Sequence, residues 1–66
     1  MSYKPEFKVY GDDKFYANAV VFATKEEAEG NASAKYRAWT MAEAYRVVES
    51  DEPVNYRWVN GKLESV

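Results

Sequence analysis

A chain of 66 residues without a single cysteine must hold itself together by packing alone, because neither a disulfide nor a thiolate-bound metal is open to it. Small domains bury a small fraction of their surface, so the few residues that are buried have to be large. The composition meets this demand with two Trp, six Tyr and three Phe among 47% hydrophobic residues. One domain spanning residues 1–66 is expected, and its core should be aromatic.

Histidine is absent too, which removes the commonest general base and metal ligand. The hydroxyls of Ser2, Thr24, Ser33, Thr40, Ser50 and Ser65 therefore lack the partner that usually activates such a group. The acids Asp12-Asp13 and Glu49, Asp51 and Glu52 have no EF-hand spacing and read as solvated turn residues. The expectation is a non-enzyme with no catalytic residue, metal or cofactor. A net charge of -2 argues against non-specific DNA binding, whose affinity rests on neutralising phosphates. No apolar run approaches the roughly 18 residues of a membrane span, and Met1 to Glu6 lacks a signal peptide's apolar stretch. A cytoplasmic protein is expected.

Tyr3 to Tyr10 alternates loosely, with Phe7 and Val9 on one face and Glu6, Lys8 and Tyr10 on the other. Pro5 has no N–H for a ladder, which predicts an edge strand. Gly11-Asp12-Asp13-Lys14 is turn chemistry and predicts a hairpin into Phe15 to Phe22, a run apolar on both faces and so expected to lie more centrally. Thr24-Lys25-Glu26-Glu27 has the form of a capping box, with the Thr24 hydroxyl accepting from the Glu27 amide and the Glu27 carboxylate reaching back to the Thr24 amide. The helix it opens carries Glu26, Glu27 and Glu29 at its positive end and Lys35 and Arg37 at its negative end. Ala28, Ala32, Tyr36 and Trp39 form its apolar face, while Gly30 marks either close packing or a soft spot.

Thr40 to Ser50 has two readings: Met41, Ala44, Tyr45 and Val48 fit a second helix, whereas the alternation of Tyr45, Val47 and Glu49 with Arg46, Val48 and Ser50 fits a strand. The strand is preferred, because its β-branched pair runs into the turn-like Asp51-Glu52-Pro53. Val54 to Val59 is a clearer strand, and Asn60-Gly61 signals a type I′ hairpin to a short last strand, Lys62 to Ser65. The fold predicted is α+β: a small antiparallel sheet, ββαββ with a short fifth strand, packed on one helix.

A two-residue loop at Asn60-Gly61 pairs Val59 with Lys62, Trp58 with Leu63 and Arg57 with Glu64. A loop centred on Asp51-Glu52 would then set Val54 opposite Glu49, Tyr56 opposite Val47 and Arg57 opposite Arg46. In that register Tyr45, Val47, Tyr56, Trp58 and Leu63 share an apolar face, and Arg46, Arg57 and Glu64 line the other. Two guanidinium groups so close repel unless an anion or a carboxylate lies between them, and Glu64 is the candidate carboxylate. The binding residues expected are accordingly Arg46 and Arg57, with Tyr45, Tyr56 and Trp58 for stacking. All three arginines follow a tyrosine, which on a strand also reads simply as tyrosine in and arginine out.

The segments Asn18-Ala19-Val20-Val21-Phe22-Ala23-Thr24-Lys25-Glu26-Glu27-Ala28, Arg37-Ala38-Trp39-Thr40 and Arg46 to Trp58 together resemble small proteins of unknown function in bacteriophage and prophage genomes. The likeness covers most of the chain beyond Phe15. It implies an accessory protein acting in the host cytoplasm and favours the strand over Thr40 to Ser50; it assigns no site residue. The function expected is a non-catalytic phage-type binding protein, a counter-defence factor that blocks a host protein or sequesters an anionic nucleotide. The alternative is a small structural or RNA-binding module using sheet aromatics. Surplus aromatic surface further predicts a homo-oligomer, joined through the strand near Tyr3 to Tyr10 or the sheet containing Trp58.

Overall fold

In a computed structural model describing residues Met1–Val66, strand β1 (Ser2–Val9) is followed by the two-residue β2 (Tyr16–Ala17), helix α1 (Lys25–Ala38), β3 (Ala42–Ser50), β4 (Tyr56–Val59) and β5 (Lys62–Ser65). One helix thus packs on small antiparallel sheets, as the hydrophobic pattern predicts, and Thr40 to Ser50 adopts the strand alternative. The strands form two sheets, ordered β2-β1-β3 and β4-β5. No helix is long and apolar enough to cross a membrane.

β1 is central, not an edge, and its backbone direction explains how it tolerates Pro5. Tyr3 exchanges both of its backbone hydrogen bonds with Phe22, at 2.8 Å each, so the odd residues of β1 point away from β3. Pro5 lies in that odd set, between the Phe22 bridge and the pairing of Glu6 and Phe7 with β2. Its missing N–H therefore costs the β1–β3 ladder nothing, and its ring is fully buried.

The run Phe15 to Phe22 departs from the central strand expected of it, since only Tyr16–Ala17 pairs regularly and both are exposed. Val21 and Phe22 are buried, but their backbone serves other elements. The Val21 carbonyl accepts from the amides of Asn55 and Tyr56, and the Asn55 side chain closes the joint. Its Oδ1 accepts from the Val21 amide at 2.8 Å, and its Nδ2 donates to the Ala19 carbonyl at 2.7 Å. This amide clamp attaches the β4–β5 hairpin to the rest of the protein.

Thr24 caps α1, accepting from the Glu27 amide at 3.2 Å. The return half of the expected capping box is absent: the Glu27 carboxylate accepts from the Thr24 hydroxyl and, at 3.0 Å, from the Trp58 amide. It thereby ties the helix start to β4. Ala28 and Ala32 are fully buried, and the same side of the helix brings Tyr36 against Tyr45 of β3. Gly30 lies on another side, where Trp58 packs so closely that a Cβ on Gly30 would stand 2.7 Å from its Cδ1 and Nε1. Of the two readings of Gly30, close packing is the one realised.

The last hairpin has the expected register, Val59 with Lys62, Trp58 with Leu63 and Arg57 with Glu64. Asn60 and Gly61 take φ of 51° and 76°, as a type I′ turn requires. Leu63 departs from its expected core position: it is 43% exposed, because nothing packs over β5.

Candidate functional site

The two arginines proposed to converge are held apart by strand pairing. β3 pairs with β1 along its length, which puts Val47 opposite Pro5, Glu49 opposite Tyr3 and Arg46 opposite Glu6. The expected pairing of β3 with β4 across Asp51-Glu52 is therefore overturned, and with it the opposition of Arg46 and Arg57. The cause lies in long-range partners: β1 supplies eight residues of ladder to β3, while Asn55 hands the start of β4 to Val21.

Each guanidinium has its own carboxylate. Arg46 Nε lies 2.7 Å from Glu6 Oε1, and its plane covers the Phe15 ring at 4.2 Å from the centroid. Arg57 Nη2 lies 3.5 Å from Glu64 Oε1, on the hairpin. The aromatic candidates are dispersed too. Tyr45 tilts against Tyr36 at a centroid distance of 5.4 Å, Tyr56 donates its amide to Val21, and Trp58 fills the hollow over Gly30. No pocket gathers these five side chains, and the arginine row survives only as the local pair Arg57–Glu64.

The face of the β1–β3 ladder turned from the helix carries Lys4, Glu6, Lys8, Ala44, Arg46 and Val48. Lys8 pairs with Glu43 and Lys4 with Glu52, and the Phe15 ring there already lies under Arg46. Stacking of bases would need open aromatic faces.

A different group of residues is brought close along the backbone where α1 passes into β3. The Tyr10 amide donates to the Met41 carbonyl at 3.1 Å, and the Ala42 amide to the Trp39 carbonyl, which folds residues 39 to 42 against the end of β1. Trp39 packs edge-on to the buried Phe7, with centroids 6.0 Å apart. Tyr10, Trp39 and Met41 nevertheless stay 59%, 37% and 55% exposed. Lys35 lies beside Trp39, with its Nζ 5.3 Å from the Phe7 centroid and 5.5 Å from that of Trp39, giving that side of the apolar end a cationic flank. Sequence reasoning missed this cluster because it counted Trp39 as helix core. The available signal was a Trp and a Met flanking Thr40 in a connection, where polar turn residues are the rule.

The only clearly shifted titration is that of Tyr16, whose phenol donates to Asp12 Oδ2 at 3.0 Å. That hydrogen bond, and then the negative charge of the carboxylate, hold the phenol above its ordinary value. The same Asp12 accepts from the Lys14 amide through Oδ1, so the pair reads as turn architecture.

No protein-family model matches the chain, and no curated protein or solved structure matches it either.

Proposed function

We propose that the protein is a non-catalytic binding module that engages a partner protein through the apolar end formed by Tyr10, Trp39 and Met41. The observation that carries this reading is the exposure of three large apolar side chains on backbone held together by hydrogen bonds, with Lys35 beside Trp39. Aromatic residues and methionine are enriched at protein interfaces, and a thioether adapts to varied surfaces. The cationic flank suits a partner that presents an apolar side chain beside carboxylates. In the setting implied by the sequence resemblance, the partner is a host protein and the effect is to block a defence component. Capture of an anionic nucleotide is the less supported route, since Arg46 and Arg57 stand on different sheets with a carboxylate each.

A photoreactive side chain placed at Tyr10 or Met41, and as a control at Lys62 on the β4–β5 hairpin, tests this in bacterial host extract. One discrete protein cross-linked from positions 10 and 41 and not from 62 is the expected outcome. Equal labelling from all three positions, or a nucleotide-dependent rise in melting temperature that is lost in Arg46→Ala, would overturn it.

A further inference from the structure

We infer that the outer edge of β3 is a self-pairing surface, on which a second copy of this chain adds its own β3 antiparallel, with Val47 opposite Val47 about the two-fold axis. The sheet order ends at β3, and the even residues of β3 bond to β1, so the N–H and C=O groups of Tyr45, Val47 and Glu49 point outward. The other terminal strands are short or covered: β2 has two residues, β5 has four, and the four-residue β4 gives its Tyr56 and Trp58 amides to Val21 and Glu27. β3 runs for nine residues without Pro, Gly or Lys. Unprotected edges of this kind are templates for another strand.

Register identifies the occupant. Pairing about Val47 sets Tyr45 opposite Glu49 of the second copy, and the reverse, so the three outward residues of each strand meet and use all of their free donors and acceptors. On the other face Arg46 comes opposite Val48 and Ala44 opposite Ser50, so no like charges meet within residues 44 to 50, and the acidic pair Glu43 and Asp51 falls outside that stretch. Moving the axis to Arg46 sets that arginine against itself and Glu43 against Glu49. Glu43 is also the extra residue of the bulge opposite Lys8 and Val9, and its carbonyl is already taken by the Tyr36 hydroxyl at 3.2 Å. Moving the axis to Val48 pushes Tyr45 past the strand end onto Asp51. The strand is thus complementary to itself in one register, which an unrelated extended peptide would have no reason to match.

Val47→Pro tests this selectively, because the Val47 amide faces outward and lies outside the β1–β3 ladder, and Arg46 before it is already extended. Sedimentation of the whole protein from micromolar to near-millimolar concentration should show the mass rising from 7.6 kDa toward twice that value, with Val47→Pro fixed at the monomer. Tyr45→Lys and Tyr45→Glu lose the same ring but place opposite charges against Glu49 of the second copy. The first should tighten and the second weaken association by roughly 2- to 30-fold relative to a Tyr45→Ala reference, since the contact occurs twice. A wild-type monomer throughout the range overturns the inference, as does a folded Val47→Pro variant that still dimerises. If Val47→Pro does not fold, the Tyr45 variants decide, and equal effects of Lys and Glu reject this register.

Discussion

A missing methyl group at Gly30 sets how closely the helix and the last hairpin approach. With Trp58 Cδ1 and Nε1 standing 2.7 Å from where a Cβ would sit, Gly30→Ala sets a gain in helix propensity of about 1 kcal/mol against a clash with a rigid indole. Overpacking costs about 1–3 kcal/mol, so urea denaturation should show net destabilisation, relieved when Trp58 is shortened to Leu in the same chain. The sequence marks Gly30 as unusual within a helix, but its partner lies 28 positions away and no local rule names it. Tyr16 offers a second test at this scale. Its raised value means that the Asp12 bond favours the fold below the ordinary tyrosine range near pH 10 and loses that effect as pH rises through the folded value. Phenolate absorbance in Asp12→Asn should therefore titrate at lower pH than in the wild type, and an unchanged curve would remove Asp12 as the cause.

Elements were more legible than their partners. The helix start at Thr24, the strand over Thr40 to Ser50 and the Asn60-Gly61 hairpin all follow from local chemistry, in which capping, alternation and turn residues act within a few positions. Pairing between strands does not, because Asp51-Glu52-Pro53 has the look of a hairpin turn whether or not the strands beside it meet. What separates them is Asn55, a poor strand former inside an apolar run, whose side chain takes the amide and carbonyl that a neighbouring strand would otherwise satisfy. Asn55→Ala leaves the part-buried Val21 amide without its partner, and should cost about 1–3 kcal/mol while speeding amide exchange in β4 before β1. The arginines lie at the other extreme. Arg57→Ala breaks an exposed pair and should shift stability by less than about 1 kcal/mol, and combined with Arg46→Ala the two effects should simply add. Coupling between them in a double-mutant cycle would restore the shared site that the register expectation proposed.

At the scale of the whole molecule, both surfaces assigned to function depend on β3 belonging to β1. That pairing carries the chain from Trp39 through Met41 onto the end of β1, where Tyr10 joins them, and it leaves the far edge of β3 without a partner. It also explains why the candidate site was only partly visible beforehand: aromatic surplus and interface composition were legible, but their location was not, since a strand paired the other way exposes different residues. The most direct measurement is the set of Hα–Hα contacts in a nuclear Overhauser spectrum, which are strongest at non-hydrogen-bonded antiparallel positions. The account predicts contacts of Pro5 with Val47 and of Phe7 with Tyr45. Contacts of Val47 with Tyr56, or of Arg46 with Arg57, would contradict it, returning β3 to β4 and the arginines to a common face.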